Sequence, residues 1–159
     1  MNDGSASRAA TIRLMTSADV DSVKTLFRDY EQWLDAKQCF ADFNREMADL
    51  TAAFAAILVA EADGALVGVV ALKDSGERTA EMKRLYCRPD RQGRGVGERL
   101  VRAAIEVARD KGFRSVMLVT LPRLTAAIGL YRKLGFVTDT SSSAEIGMSL
   151  ALGPERRLA

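Results

Sequence analysis

A glycine-rich turn, Gln92-Gly-Arg-Gly-Val-Gly97, has the residue types best suited to holding a charged ligand. Its three glycines leave backbone N–H groups unshielded, and the apolar periodicity that follows predicts a helix beginning at Val96. Because a helix N-terminus bears partial positive charge, such a turn can bind phosphate or pyrophosphate. The spacing matches neither the Walker A motif nor the dinucleotide fingerprint. The structural alternative is a tight turn that uses glycine for positive φ.

The composition excludes most other kinds of catalytic centre. The chain has no histidine, which removes Ser-His-Asp and Cys-His nucleophiles, histidine bases and histidine metal ligands. Its two cysteines, Cys39 and Cys87, are too few for a cysteine-only zinc site or a disulfide framework. We therefore expect no metal, and any acid–base chemistry must come from Asp, Glu, Tyr, Cys, Lys, Arg or water.

Charge is distributed unevenly along the chain. The net charge of +2 does not by itself indicate a nucleic-acid partner. Residues 81–114 contain ten basic and five acidic residues, whereas residues 16–50 contain eight acidic and four basic ones. The basic stretch surrounds the glycine-rich turn and supports an anionic ligand there. Solvated helix faces remain the simpler explanation of both stretches.

The elements that must position this turn follow from hydrophobic periodicity and turn signals. Thr16-Ser-Ala-Asp19 resembles a capping box, Asp63-Gly64 predicts a hairpin, and Lys111-Gly112 predicts a helix end. The predicted strands are 11–15, 56–60, 65–72, 79–87, 115–120, 136–137 and 145–150, and the predicted helices are 20–37, 42–51, 96–110 and 124–134. The order β-αα-βββ-α-β-α-ββ predicts an α/β fold with a mixed central sheet of six to seven strands.

One domain accounts for a chain of 159 residues. We expect a flexible N-terminal tail over residues 1–10, the folded domain over residues 11–150 and a C-terminal tail over residues 151–159. No apolar run suits a signal peptide, and the longest, from Ala52 to Ala60, is far shorter than the roughly 20 residues of a membrane span. We therefore expect a cytoplasmic protein that has no membrane or nucleic-acid partner.

Three segments in order along the chain resemble the GNAT superfamily of N-acetyltransferases. Arg91-Gln-Gly-Arg-Gly-Val-Gly97 is similar to the family's Arg/Gln-x-x-Gly-x-Gly/Ala signature. The segment Glu81 to Pro89 resembles its central strand, and Ala127-Ile-Gly-Leu-Tyr-Arg-Lys-Leu-Gly-Phe136 resembles its final helix with the following Gly-Phe. The resemblance extends over roughly residues 11–150 and implies a single-domain GNAT-like fold.

The resemblance also implies acetyl-CoA as cosubstrate. In the family, the pyrophosphate lies on the backbone amides of the glycine-rich turn, and the pantetheine arm lies in a gap between the fourth and fifth strands. The implied cofactor-binding residues are Leu85, Tyr86, Cys87, Gln92, Gly93, Arg94, Gly95, Val96, Gly97 and Glu98. This agrees with the phosphate site inferred from the residues alone and adds the identity of the ligand.

Two catalytic candidates follow from the resemblance. Glu81, at the start of the central strand, matches the general-base glutamate of some members, and its carboxylate could take a proton from an amine. The alternatives are an ion pair of Glu81 with Lys83 or Arg84, or a water held by backbone groups as the base. Tyr131 matches the family tyrosine that can donate to the departing thiolate. Its alternative is a role in core packing.

The predicted function is transfer of an acetyl group to a primary amine by direct attack in a ternary complex. The alternative functions are an acyl-CoA-binding or sensor module without turnover and, last, a nucleic-acid binder. The acidic residues 16–50 would favour a cationic small-molecule or peptide acceptor. A homodimer is possible, since dimers are common in the family. Trp33, Phe40, Phe43 and Cys87 are expected to be packing residues.

Overall fold

A seven-stranded mixed sheet forms the centre of the molecule. The computed structural model describes residues 9–35 and 43–153. The strands are β1 (Thr11–Leu14), β2 (Ala56–Ala62), β3 (Ala65–Asp74), β4 (Thr79–Cys87), β5 (Ser115–Thr120), β6 (Val137–Ser141) and β7 (Ile146–Ala151). Their order across the sheet is β1-β2-β3-β4-β5-β7-β6. The β4–β5 pair is parallel and the other neighbouring pairs are antiparallel.

Helices cover both faces of the sheet. They are α1 (Val20–Leu34), α2 (Phe43–Ala48), α3 (Leu50–Ala53), α4 (Val96–Asp110) and α5 (Thr125–Lys133). One hydrophobic cluster joins α4 and α5 to one face, with Leu58, Val70 and Leu100 at its centre. A second cluster joins α1, α2 and α3 to the other face, with Phe27 and Val69 among its buried residues. Successive residues of β2 and β3 alternate between the clusters because strand side chains alternate between faces.

The local signals in the sequence form the predicted structures. Asp19 accepts a hydrogen bond from the Thr16 backbone N–H at 2.8 Å, which closes the capping box before α1. Asp63 and Gly64 both have positive φ and join β2 to β3 as a tight hairpin. Gly112, with φ of +89°, follows the end of α4. The predicted α/β class and element order are confirmed.

Two predicted helices differ from the observed ones. The helix predicted over residues 20–37 ends at Leu34, because Asp35 adopts the left-handed conformation and its N–H bonds to the Glu31 carbonyl. The helix predicted over residues 42–51 is divided into α2 and α3. Asp49 interrupts it with extended backbone, and its side chain accepts from Ala52 N–H at 3.2 Å as the cap of α3.

Some predictions concern residues outside the described ranges. These are residues 1–8 of the N-terminal tail, residues 154–159 of the C-terminal tail, Cys39 and Phe40. The first residue of the folded domain, Thr11, begins β1, and β7 ends at Ala151, one residue beyond the predicted domain limit.

Strands β4 and β5 separate after a short paired segment. Their register extends only from Thr79 opposite Ser115 to Glu81 opposite Met117. Beyond that point, β4 contains a bulge, because the three residues of β3 from Val69 to Ala71 are matched by the four residues of β4 from Lys83 to Tyr86. Arg84 lies in this bulge with φ of +60°. A bulge bends and twists its strand, so β4 turns away from β5 and a gap opens.

Candidate active site

A cavity of about 670 Å³ occupies the gap between β4 and β5. Its lining comes from both faces of the sheet. Leu85, Val96 and Tyr131 belong to the α4–α5 side, whereas Tyr30 and Leu34 belong to the α1 side. The cavity therefore passes through the sheet and has two halves, which we call the turn half, on the α4–α5 side, and the α1 half.

The glycine-rich turn forms the mouth of the turn half. Gly93 and Gly95 both have φ of +79°, a conformation that other residues seldom adopt. A Cβ atom at either position would meet nothing within 4 Å, so their surroundings are open. Gly95 precedes α4, and the N–H groups of the first helical turn have no carbonyl within the helix to bond. The turn thus presents unshielded donors at a positive helix end, as an anionic ligand requires.

Six of the ten cofactor-binding candidates line the cavity, and four do not. Those that line the cavity are Leu85, Cys87, Gln92, Gly93, Val96 and Gly97, and the others are Tyr86, Arg94, Gly95 and Glu98. The Gln92 amide donates to the Cys87 carbonyl at 3.0 Å and ties the turn to β4. Hydrogen bonds from Lys133 and Arg102 hold the pKa of the Glu98 carboxyl below its usual value. Glu98 therefore joins α4 to α5.

Glu81 lies at the point where β4 and β5 part. It is half-buried, lines the cavity and pairs in register with Met117 of β5. Lys83 and Arg84 both bind a different carboxylate, that of Glu46. The expected alternative, an ion pair of Glu81 with either cation, is therefore wrong. Among the described residues, Glu81 has no hydrogen bond or ion pair through its side chain, and its carboxylate is available to a ligand.

Tyr131 is both a core residue and a cavity residue. Its side chain is 7% exposed, its ring packs 5.7 Å from that of Phe136, and it also lines the cavity. Burial raises the pKa of the Tyr131 hydroxyl well above its usual value, and the nearby Tyr30 and Cys87 add to this effect. The hydroxyl therefore remains protonated and can donate a hydrogen bond at any physiological pH.

The aromatic residues differ from one another in their surroundings. Phe43 is buried, as expected of a packing residue. The prediction is wrong for Trp33, which is 47% exposed and lines the α1 half of the cavity. Its ring stacks on that of Tyr30, with centroids 6.2 Å apart, and Tyr30 packs against Tyr86 at 5.5 Å. Helical spacing alone could not distinguish the buried Phe43 from the exposed Trp33, since both residues lie on apolar helix faces.

Cys87 behaves as the packing residue that the sequence predicts. Burial raises the pKa of its thiol to about 11. A thiol with that pKa is almost entirely protonated at neutral pH, and the thiol form is a poor nucleophile. The Cys87 sulfur lies beside Gly97, where an added Cβ would meet it at 3.7 Å.

Glu46 was missed as a site residue by the sequence analysis, which counted it only among the acidic charges. It is 4% exposed and accepts hydrogen bonds from Lys83, at 3.0 Å, and from Arg84. Burial opposes its ionisation, but the bonds and charges of Arg84 and Lys83 outweigh burial and lower the pKa of Glu46. The bulge places both cations on the α2 side of β4, a consequence that strand alternation alone would not predict.

Arg123 is the second residue that the sequence gave no reason to select. It lies between β5 and α5, lines the cavity, and donates to the backbone carbonyl of Leu34, the last residue of α1. Carbonyls at a helix C-terminus have no partner within the helix, so this bond holds the β5–α5 connection against α1. The only signal in the sequence was a basic residue just before a helix, which is a weak one.

Of the acidic residues in 16–50 that the structure describes, none lines the cavity. Asp19 and Glu46 are buried and paired with cations of the protein, whereas most of the other described ones are exposed. Ion pairs within the protein and solvated faces therefore explain these charges better than a preference for cationic ligands. Over residues 9–35 and 43–153, no helix has the length and apolarity of a membrane span, and no three Cys, Asp or Glu residues are grouped for a metal ion.

A mixed sheet split at its parallel pair, with a glycine-rich turn and a helix N-terminus at the gap, defines a class of α/β domain with an anion-binding site beside the split. Residues 20–136 match the model of the acetyltransferase (GNAT) family. This chain belongs to that family. An uncharacterized N-acetyltransferase of Schizosaccharomyces pombe is 33% identical over 126 residues, which are 76% of this chain and 77% of that protein.

Two further comparisons support the family and the fold. N-acetyltransferase family 8 member 2 of Rattus norvegicus is 32% identical over 114 residues, which are 65% of this chain and 50% of the rat protein. The chain thus matches only about half the length of that relative. The structure of yncA from Salmonella typhimurium, with its cofactor acetyl-CoA, superposes with a TM-score of 0.73 at 22% identity, over 94% of this chain and 98% of that one.

Proposed function

We propose that this protein is an N-acetyltransferase that moves the acetyl group of acetyl-CoA to a primary amine by direct attack in a ternary complex. The observation that supports this most is the gap between β4 and β5, which leads from the glycine-rich turn to Glu81. One continuous cavity can therefore hold an extended coenzyme and an acceptor together. Family membership and the acetyl-CoA named for the Salmonella structure support acetyl-CoA as the coenzyme.

The chain's backbone would hold most of the coenzyme. The pyrophosphate would accept from the N–H groups of the turn and the first turn of α4, over Gln92 to Glu98. The pantetheine arm would bond to the backbone of β4 at Leu85, Tyr86 and Cys87, where β5 no longer does. Val119 of β5, 45% exposed in the gap, would supply apolar contact from the opposite side.

Glu81 would accept a proton from the acceptor, and Tyr131 would act as a donor to the leaving sulfur. Glu81 would take the ammonium proton of the acceptor, directly or through a water. The amine nitrogen then forms a bond to the acetyl carbonyl carbon, the carbon–sulfur bond breaks, and its electron pair leaves on sulfur. The nitrogen loses its second proton, and the thiolate takes up one proton to leave as the thiol. Tyr131 would donate a hydrogen bond to the sulfur during this step, and its raised pKa favours hydrogen bonding over loss of its own proton.

The test combines coenzyme binding with thiol release. Acetyl-CoA should raise the melting temperature, because only the folded state has the turn's donors, and adenine nucleotides that lack the pantetheine arm should raise it less. Free thiol should then appear from acetyl-CoA with a panel of primary amines. Absence of binding at millimolar coenzyme would overturn the proposal, and binding without turnover of any amine would indicate a sensor module instead.

A further inference from the structure

We propose that the acceptor is an apolar α-amino acid, a primary amine with a carboxylate on the adjacent carbon. This inference rests on the proposed N-acetyltransferase function. Arg123 would bind the carboxylate, Glu81 the amine, and the aromatic surface of Tyr30 and Trp33 the apolar side chain. All four residues line the cavity.

Three of the four cations that line the described part of the cavity are bonded to carboxylates of the protein. The four are Lys83, Arg84, Arg91 and Arg123. Lys83 and Arg84 share Glu46, and Arg91 binds Asp63 at 2.9 Å. These pairs lower the attraction of the first three cations for a further anion.

Arg123 differs because its charge has no carboxylate beside it among the residues that the structure describes. Its hydrogen bond there is to the Leu34 carbonyl, which is neutral and fixes the side chain at the cavity wall. A guanidinium has five N–H donors in a planar fork that matches the two oxygens of a carboxylate. Arg123 is an exposed residue, and its bond to Leu34 holds it at the wall, where its charged guanidinium is able to bind an anionic group of the ligand.

Glu81 would bind the positively charged ammonium group of the acceptor. The Glu81 carboxylate has no protein cation bonded to it within the described ranges, and it lies where the acetyl group must be attacked. The charges of these two cavity residues therefore suit a zwitterionic acceptor, whose ammonium group would lie toward Glu81 and whose carboxylate would lie toward Arg123. A polyamine would instead bring a second ammonium toward Arg123 and Lys83, and like charges repel.

An exposed aromatic surface completes the α1 half. Trp33 is one of the few large apolar side chains of the described residues with nearly half of its surface exposed, and it is stacked on Tyr30. Covering such a ring with an apolar side chain removes apolar surface from water. The acceptor that satisfies all three features is an amino acid with an aromatic or branched aliphatic side chain.

The experiment compares three primary amines that share the same phenylethyl group and differ in whether the carbon bearing the amine carries a carboxylate, an amide or hydrogen. Phenylalanine, phenylalaninamide and 2-phenylethylamine are assayed with acetyl-CoA, with rates expressed per free-base amine. Wild-type kcat/KM should favour phenylalanine. Arg123→Gln should remove about ten- to a hundredfold of that preference, as expected for a hydrogen bond between charged groups. It should change the 2-phenylethylamine rate little, and Arg123→Lys should restore part of the preference. Arg28→Gln, on the exposed surface of α1, is the matched control and should preserve it.

The outcomes separate recognition from anchoring. If Arg123→Gln slows all three acceptors equally, Arg123 only holds α1 and the inference is wrong. It is also wrong if the wild-type protein prefers an acceptor without the carboxylate. If the coenzyme binds but no amine of the wider panel releases thiol, the proposed function fails, whereas turnover of other amines but of none of these three overturns the acceptor assignment alone. Turnover of 2-phenylethylamine without turnover of phenylalanine overturns the acceptor assignment alone.

Discussion

The Tyr131 side chain belongs to the hydrophobic core and also lines the cavity, so packing and chemistry can be separated by a single-atom change. Phenylalanine at this position keeps the ring beside Phe136 and removes only the hydroxyl. Among the described residues, that hydroxyl has no hydrogen-bond partner, so its loss leaves no polar group of the protein newly unsatisfied.

Tyr131→Phe should therefore lower kcat with little loss of stability. A positioned acid contributes about 10²–10⁴-fold, and the loss should be smaller for thioesters whose thiol has a low pKa, since those thiolates need less help. Because the pKa of Tyr131 is raised, the wild-type rate should show no ionisation of this group below about pH 10. The measurement is rate against leaving-group pKa in both proteins. Superimposed lines would make Tyr131 a packing residue.

Glu81→Gln should lower turnover mainly at low pH, where the acceptor amine is most protonated and a base matters most. Coenzyme affinity should barely change, because Glu81 lies beyond the turn half of the cavity. The pH–rate profiles of this variant and of Glu145→Gln, a second carboxylate at the cavity, form the comparison. If the loss appears in Glu145→Gln and not in Glu81→Gln, the base has been assigned to the wrong residue.

At the scale of elements, the start of α4 can be tested with two glycines that differ in backbone conformation. Neither Gly95 nor Gly129 would bring a Cβ within 4 Å of another group, but only Gly95 has positive φ. Gly95→Ala should cost about 1–2 kcal/mol of unfolding free energy or shift the turn, and weaken coenzyme binding. Gly129→Ala, in the middle of α5, should stabilise by about 0.5–1 kcal/mol.

Denaturant titration and calorimetric coenzyme binding measure the two effects. Unchanged coenzyme affinity in Gly95→Ala would leave the turn with a structural role only. A loss of affinity in Gly129→Ala as well would point to a general effect of helix changes rather than to the turn.

Local signals in the sequence were sufficient for the elements but not for their side-chain partners. The Asp63-Gly64 hairpin and the capping box at Thr16 depend on neighbours in the chain, so they were predictable. The pairing of Glu46 with Arg84 joins residues 38 positions apart through a bulge. No local pattern predicts a bulge here, because Arg84, unlike glycine, gives no sign of positive φ.

The family's motifs identified the turn half of the cavity in advance, and the α1 half had no comparable signal. The coenzyme candidates occupy one continuous stretch, Leu85 to Glu98, with recognisable glycines. The α1 half is assembled from α1, β4 and the β5–α5 connection, whose residues meet only in the fold. Trp33 and Arg123 could therefore not be selected from spacing.

At the scale of the whole molecule, buried and paired carboxylates make stability depend on pH. The pKa values of Glu46 and Asp19 are lowered in the folded state from usual values of 4.5 and 3.8. Their contribution is therefore complete above those values and is lost as the pH falls through the folded-state pKa values. The urea midpoint should thus be constant near neutral pH and decline below about pH 4.5.

Glu46→Gln tests one of these two contributions. At pH 7 it should destabilise by about 3 kcal/mol or more, because it leaves the buried Arg84 cation without its carboxylate. The fall of the urea midpoint at acid pH should be shallower in this variant than in the wild type, because only the contribution of Asp19 remains. Glu106→Gln, which breaks an exposed pair with Arg109, should change stability by about 0.5 kcal/mol or less. An unaltered acid decline in Glu46→Gln would contradict the assignment.

The parting of β4 and β5 also gives the molecule an edge in the middle of its sheet. Past Met117, β5 still pairs with β7 on one side, but on the other side no strand within residues 9–35 and 43–153 pairs with its backbone. Unpaired strand backbone is a template for any extended chain, and proteins usually protect it at the borders of a sheet. Here the protection would have to come from whatever fills the gap. Kept without a ligand, the protein exposes at its centre the type of surface from which aggregation by strand addition begins.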